Sequence, residues 1–315
     1  MKTAHATKLT LYAALLGNLL VAVTKFLAAA VSGSSSMMSE AVHSVVDTLN
    51  ELLLLYGLRR AARIADPSHP FGYGREVYFW SFIVAVLLFA LGAGVSVYQG
   101  VMRIQQPATI ENATINYVVL ALSFVFEGAS WHVSHRAFRA AKGNASYWAA
   151  FRESKDPPAF IVLFEDSAAL IGIAIAAAGT WLSDSRGLLV ADGVASLLIG
   201  VVLGITSALL ARESKALLIG ERAGPAVTAA VAAIAAEEPG IAGTNGIIAL
   251  QLGPTQVVVA LSVEFADELR TPEIESVVER LEQRVRDRIP DVVALFVKPQ
   301  TCGRFLQAER GLSRR

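Results

Sequence analysis

SMMSEAVHSVVDTLNELLLLYGL, residues 36–58, combines a long apolar helix with a row of ionisable side chains. A helix that spans a bilayer needs about 20 mostly apolar residues, and this segment supplies them. Because an ionisable side chain inside such a helix costs about 2.5–3.5 kcal/mol on insertion scales, the row is predicted to face a bundle interior or water. Its members recur at spacings of three and four, on one helical face: Glu40, His43, Asp47 and Glu51.

Five more segments have the length and apolarity of membrane spans. The chain is 54% hydrophobic and 17% charged, whereas soluble proteins carry about a quarter charged residues. Short connections favour antiparallel neighbours in one bundle. We therefore predict an all-α membrane domain of six transmembrane helices over residues 1–212. Its approximate spans are Leu9–Val31, Ser36–Leu58, Tyr78–Met102, Ile115–Ala137, Ala159–Leu182 and Leu188–Leu210.

Basic residues beside the predicted spans indicate the orientation. On one side they are Arg59, Arg60, Arg63, Arg75, Arg136, Arg139, Lys142, Arg152 and Lys155, and on the other they are Arg103 and Arg186. By the positive-inside rule, both termini are cytoplasmic. We expect a multi-pass protein in the inner or plasma membrane of a bacterium. The chain has 27 basic residues (Lys and Arg) and 27 acidic residues (Asp and Glu). It therefore lacks the excess of positive charge that would indicate nucleic acid as a partner.

Residues 213–315 have the pattern of a small cytoplasmic α+β domain with the order α-β-β-α-β. The predicted helices are Val227–Ala236 and a segment from Thr271 to about Asp287. The predicted strands are Gly246–Leu252, Gln256–Phe265 and Val292–Val297. Pro272 suits the first turn of the second helix. The tail after residue 300 is polar and is predicted to be loose.

His43 and Asp47 are the strongest candidates for chemistry in the second span. They are one helical turn apart, so an imidazole nitrogen and a carboxylate oxygen can converge on one metal ion. The alternative is a pair of hydrogen bonds between helices. Glu40 and Glu51 lie nearer the ends of the span, and for them an accessory and a structural role are equally open.

Glu165 and Asp166 add two carboxylates in the fifth span. Neighbouring residues point about 100° apart on a helix, so both serve one site only if one of them lies at its edge. A tetrahedral ion takes about four donors, and two helices with two donors each would supply them. Asp166 is the predicted ligand. Glu165 is either a ligand or a partner of one.

Two further ionisable residues fall within the spans without an assigned role. Lys25 either neutralises a carboxylate or extends to the interface. Glu127 is open to three interpretations: a protonated acid, a proton relay, or a partner of Lys25. The single cysteine, Cys302, excludes an internal disulfide framework and a cluster of thiolate ligands.

Three features together resemble the cation diffusion facilitator family of zinc-type efflux carriers. They are the run from Ser36 through His43 and Asp47, the loop Asp-Pro-Ser-His-Pro-Phe-Gly-Tyr-Gly-Arg at 66–75, and six spans followed by an α/β tail. The HxxxD pattern alone is modest evidence, and the combination is specific. The likeness is nearest to the branch with the mitochondrial zinc exporters, whose fifth span carries a run like Glu-Asp-Ser-Ala-Ala at 165–169.

The resemblance implies a proton-coupled antiporter that exports a divalent cation, with zinc as the first candidate, by alternating access. It implies no enzymatic activity and no cofactor besides the transported ion. It implies a homodimer closed by the tail domain on the cytoplasmic side, and an inter-domain charge pair between Arg75 and Glu221. The implied metal ligands are His43, Asp47 and Asp166, with Glu165 as the fourth donor.

The chain also departs from the family pattern. Val162 stands where the family has His or Asp four residues before the fifth-span Asp, so the fourth ligand is open. The family's cytoplasmic loop site retains Asp66 here, but Tyr73 replaces its His. His69 is the remaining accessory candidate, and we expect the loop to be structural. No His follows His135, so we expect no metal in the tail.

Two alternatives to a zinc carrier remain open. One is a carrier of the same type that selects manganese, iron or cobalt, because a carboxylate-rich site favours harder ions. The other is a non-transporting subunit of a heteromeric transporter, which Val162 makes conceivable. An intramembrane metalloprotease is disfavoured because the sequence holds no His-Glu-x-x-His run.

Overall fold

The computed structural model describes residues 18–312. Within this range the elements, in chain order, are α1 (Asn18–Ser32), α2 (Ser35–Ala61), α3 (Glu76–Gln105), α4 (Ala113–Lys142), α5 (Tyr147–Glu153), α6 (Pro157–Arg186), α7 (Val190–Ile219), α8 (Pro225–Ala236), β1 (Ile241–Gly253), β2 (Gln256–Phe265), α9 (Thr271–Arg288), β3 (Val292–Pro299) and α10 (Cys302–Leu312).

Four helices in the described residues are long and apolar enough to cross a membrane: Glu76–Gln105, Ala113–Lys142, Phe160–Arg186 and Val190–Ile219. The predicted count of six spans is therefore not confirmed. The predicted span Leu9–Val31 lies partly outside the described residues. Helix α2 is 27 residues long, but its acidic residues and His43 lower its hydropathy.

The chain forms two compact units. The membrane unit runs up to Leu58 and continues from Phe79 to Lys215, and the second unit holds Arg59–Tyr78 and the described residues from Ala216 onward. By sequence, residues 59–78 are expected in the membrane domain. In the structure they group with the C-terminal part, where the Phe71 ring lies 6.4 Å from the Phe296 ring at a right angle.

The membrane unit has an apolar core and close helix crossings, among them that of α3 and α7. Met37, Leu88, Ile161 and Leu203 are buried in this core, and α3 contains a π-helical turn at Leu88–Ala93. Helices α3 and α7 approach closely at two glycines. A Cβ on Gly100 would lie 2.8 Å from the carbonyl oxygen of Gly193, so a larger residue there would push the helices apart.

The C-terminal part forms a sheet with the order β1-β2-β3 in the described residues. Strands β1 and β2 are antiparallel, and β2 and β3 are parallel. Helices α8 and α9 cover one face, where the core contains Ile234, Leu261, Leu281 and Val285. The predicted α-β-β-α-β order is confirmed.

Helix α10 follows β3 where the sequence analysis predicted a loose tail. The Phe305 ring lies over Gly246 of β1 and takes the space that a side chain there would fill. Asn245 donates a hydrogen bond to the carbonyl oxygen of Gln300. The apolar contact and the hydrogen bond give the segment the partners that its polar composition did not indicate.

Candidate metal centre

A cavity of about 90 Å³ lies between the helices of the membrane unit. Water occupies about 30 Å³ per molecule in the liquid, so this volume holds an ion with one or two waters. Carboxylates dominate its polar lining. The residues that line it are Asn18, Ser44, Asp47, Glu51, Leu54, Glu127, Ser130, Val162, Glu165 and Asp166.

Helix α2 contributes Asp47 to the cavity and holds His43 beside it. The Nδ1 atom of His43 lies 3.3 Å from Oδ1 of Asp47. His43 is fully buried, and neither of its ring nitrogens has a hydrogen-bond partner among the described residues. His43 is not part of the cavity lining. The pair is therefore in contact as the i, i+4 spacing predicts, but only its carboxylate faces the cavity.

Helix α6 contributes two carboxylates that neighbouring helices hold in place. Asn50 of α2 donates a 2.7 Å hydrogen bond to Oε1 of Glu165. Ser130 and Ser134 of α4 donate to Oδ2 of Asp166 at 2.9 and 3.0 Å. Within the described residues these hydrogen bonds reach one oxygen of each carboxylate, so the other oxygen can accept an ion.

Three of the four predicted ligands thus meet at one cavity: Asp47, Glu165 and Asp166. The described residues nevertheless contain no tight group of three or more His, Cys, Asp or Glu side chains positioned to hold a metal. The sequence analysis did not assign the supporting residues Asn50, Ser130 and Ser134. The spacing of three and four that joins Glu127, Ser130 and Ser134 on α4 is a polar stripe that could have indicated the last two.

Of the accessory candidates, Glu51 lines the cavity, and Glu40, Asp66 and His69 lie elsewhere. Glu40 does not line the cavity and accepts a 3.1 Å hydrogen bond from Lys25. Asp66 belongs to a turn in the second unit, where it accepts hydrogen bonds from the Tyr73 hydroxyl and from the backbone of His69. The bond from Tyr73 lowers the pKa of Asp66 below its ordinary value. Such a turn is consistent with a structural role.

Arg75 and Glu221 both belong to the second unit. A guanidinium nitrogen of Arg75 lies 3.7 Å from the position of a Cβ on Gly220, the residue before Glu221. The backbone carbonyl of Glu221 accepts a 3.0 Å hydrogen bond from Gln251. Arg75 therefore reaches the segment that carries Glu221, and the charge pair between the two stays a prediction.

A charge swap tests this pair. We expect Arg75→Glu and Glu221→Arg each to lower the melting temperature, because each places like charges close together. The double swap should recover most of the loss, as it restores an attractive guanidinium–carboxylate pair. Differential scanning fluorimetry of the four proteins measures this. Losses that merely add in the double variant would show that the pair does not exist.

Apolar helices around a small, buried acidic cavity define a multi-pass membrane protein, and the cavity is its candidate cation site. The sequence comparison specifies the family. Residues 11–219 match the cation efflux transmembrane domain, and the chain belongs to this cation diffusion facilitator family. The resemblance expected from the run around His43 and Asp47 is confirmed.

The chain is similar in sequence to proteins from several organisms. The chain is 36% identical over 244 residues to the mitochondrial proton-coupled zinc antiporter SLC30A9 of Homo sapiens, a match that covers 76% of this chain and 43% of that protein. It is 36% identical over 207 residues to a metal tolerance protein of Arabidopsis thaliana, with 64% and 45% covered. It is 25% identical over 273 residues to the cation-efflux pump FieF of Shewanella oneidensis, with 86% of each covered.

Two facts follow from these matches. The chain spans less than half the length of the human and plant relatives. The human relative is named as mitochondrial, so these matches do not support the expected location in a bacterial inner or plasma membrane.

Proposed function

We propose that this chain is a proton-coupled antiporter that exports divalent metal cations, with zinc as the first candidate, by alternating access. The observation that carries the proposal is the cavity at which Asp47 of α2 meets Glu165 and Asp166 of α6. These three carboxylates share the cavity lining with Glu51 and Glu127, and carboxylates in one small space repel one another unless cations or protons occupy it. The names of the human and Shewanella relatives, a zinc antiporter and a cation-efflux pump, support the same function.

The chemistry of the ligands supplies the coupling to protons. A metal ion binds neutral imidazole and ionised carboxylate, so binding displaces protons and protonation displaces the metal. We propose Asp47, Asp166 and Glu165 as the carboxylate ligands and His43 as the imidazole ligand. Neither Nδ1 of His43 nor Oδ1 of Asp47, which lie 3.3 Å apart, has a hydrogen-bond partner among the described residues, so both atoms stay available to an ion. A site that exchanges metal for protons and opens to each side in turn couples the two gradients.

Transport into proteoliposomes tests this proposal. Purified protein is reconstituted with a proton gradient, and uptake of Zn²⁺, Mn²⁺, Fe²⁺ and Co²⁺ is followed with the gradient present and then collapsed. We expect gradient-dependent uptake that is fastest for zinc. Preference for another ion would assign the carrier to the manganese, iron or cobalt alternative. No uptake of any of the four would favour the non-transporting subunit.

Val162 offers a gain-of-function test, because it lines the cavity with Asp166 one helical turn away. Val162→His creates an i, i+4 pair of imidazole and carboxylate, and we expect zinc to bind about tenfold more tightly. Isothermal titration with Zn²⁺ measures the change. Val162→Leu is the control, since it fills the position without a donor. Equal affinity in the His and Leu variants would mean that position 162 cannot reach the ion.

The C-terminal domain has an exposed apolar face that supports the proposed homodimer. Ile248, Ala260 and Phe296 are paired across β1, β2 and β3. Ile248 is 73% exposed and Phe296 is 55% exposed. Apolar residues grouped on a sheet face mark an interaction surface. We propose that this face contributes to contact with a second copy of the chain.

Substitution on this face tests the dimer. Ile248→Glu together with Ala260→Glu should shift the detergent-solubilised protein towards a monomer, because each new carboxylate would be desolvated at the interface. Size-exclusion chromatography with light scattering gives the mass. Ser276→Glu, on the exposed surface of α9, is the charge control and should remain dimeric. A double variant that stays dimeric would show that the copies meet elsewhere.

A further inference from the structure

Lys25 is a fully buried cation in an otherwise apolar helix, α1. Removing an ammonium group from water costs several kcal/mol, which is recovered only with close anionic partners. A buried lysine in a membrane segment is therefore expected to be paired and to serve a function.

Lys25 has two such partners on two other helices. Its Nζ lies 3.1 Å from Oε2 of Glu40 on α2 and 3.9 Å from Oε1 of Glu127 on α4. Glu127 lines the cavity, whereas Glu40 does not. The ammonium group therefore connects a carboxylate at the site with a carboxylate behind it.

Glu40 is the more confined of the two carboxylate partners of Lys25. Its carboxyl group is fully buried, and its Oε1 has no hydrogen-bond partner among the described residues. That oxygen occupies the space beside Gly172 of α6 in which a Cβ would otherwise lie. Glu40 is thus confined next to Lys25, while Glu127 has open cavity on its other side.

We propose that Lys25 is a positioning residue that withholds Glu127 from the transported ion and thereby keeps metal binding weak enough for release. This inference rests on the proposed function. Glu51 also lines the cavity, but it accepts a hydrogen bond from Asn18. With Glu127 added to Asp47, Glu165 and Asp166, these four other carboxylates and a divalent ion would together carry a charge of about −2. The ammonium group of Lys25 competes with the transported ion for Glu127. The ion is therefore bound by the three carboxylates of Asp47, Glu165 and Asp166.

The decisive variant removes the ion pair but not the fold. Lys25→Met with Glu40→Gln deletes one positive and one negative buried charge, so no uncompensated charge remains. We expect the Kd for Zn²⁺ to fall about tenfold, and both the KM and the maximal rate of transport to fall, since release slows. Adding Glu127→Gln should return the Kd to within about threefold of the wild type. Lys25→Arg should behave like the wild type.

Full-length protein in detergent is titrated with Zn²⁺ alone, and the cavity site is identified as the binding event lost in Asp47→Asn. A purely structural ion pair predicts an unchanged Kd once both charges are removed. An unchanged or weaker Kd in the double variant, or tightening that persists without Glu127, would overturn the inference. If the double variant does not fold, Glu127→Gln in the wild type decides. A change below about threefold supports the inference, and a tenfold weakening refutes it.

These outcomes are separable from failure of the proposed function. Wild-type protein that neither binds nor transports any of the four ions would refute the function and the inference together. Wild-type protein that binds zinc, with a double variant of equal affinity, would refute only the role of Lys25.

Discussion

Asp47→Asn is expected to abolish metal transport while the protein remains folded. The amide keeps the shape of the side chain but removes an anionic donor from the cavity and the partner of His43 at 3.3 Å. Loss of an outer partner alone costs about 10–100-fold in metal affinity or activity, so loss of a ligand should cost more than about 100-fold. His43→Ala should have a similar effect, because it deletes the proposed imidazole donor. Initial rates of zinc uptake into proteoliposomes measure both.

The matched control is Leu52→Ala on the same helix. Leu52 is 47% exposed and does not line the cavity, so its loss should change the rate by less than about twofold. Equal amounts of folded protein are verified by size-exclusion chromatography before reconstitution. Near wild-type transport in either Asp47→Asn or His43→Ala would remove that residue from the ligand set.

The sequence predicted the two helices that carry the candidate ligands, but it did not predict the side chains of neighbouring helices that hold these ligands in place. The spacing of His43 and Asp47 required only the 3.6-residue period of α2, and their contact follows from it. The polar stripe of Glu127, Ser130 and Ser134 indicates which face of α4 turns inward, but it does not indicate which side chain that face meets. The hydrogen bonds of Ser130 and Ser134 to Asp166 are known only once α4 and α6 are packed together.

Two features of the C-terminal part also differ from the prediction: the unit to which residues 59–78 belong, and helix α10. Both involve contacts between residues far apart in the sequence. Residues 59–78 lie between two predicted spans and are therefore expected in the membrane domain, whereas in the structure they belong to the second unit, where Phe71 contacts Phe296. Helix α10 is ordered by Phe305 against Gly246, a contact across more than fifty residues. Long-range apolar contacts of single aromatic residues leave no periodic pattern in the sequence.

Asp192 of α7 is the buried acid whose removal should destabilise the membrane unit most. It is fully buried and accepts hydrogen bonds from the hydroxyl of Ser34 at 2.7 Å, the backbone of Ser35 at 2.7 Å and the hydroxyl of Ser36 at 2.6 Å. Its Oδ2 also lies 3.2 Å from Nε of Arg103. The carboxylate thus caps the N-terminus of α2 from another helix and neutralises a guanidinium of α3.

Asp192→Ala should therefore lower the stability of the protein severely. The substitution leaves Arg103 and the first backbone N–H groups of α2 without their acceptor. Breaking a buried ion pair from one side costs about 3–5 kcal/mol, and loss of a helix cap adds about 1 kcal/mol. We expect the melting temperature in detergent to fall by about 10 °C or more. Asp184→Ala, which removes an exposed acid near the end of α6, is the control and should change it little.

A second substitution separates the two contributions. Asp192→Ala with Arg103→Met removes the uncompensated guanidinium and should recover the part of the loss that comes from the ion pair, while the loss at the helix cap remains. Asp192→Asn keeps acceptor capacity but no charge, so its melting temperature should lie between those of the wild type and the alanine variant. An alanine variant as stable as the Asp184→Ala control would show that water replaces the carboxylate and that the helix ends do not depend on it.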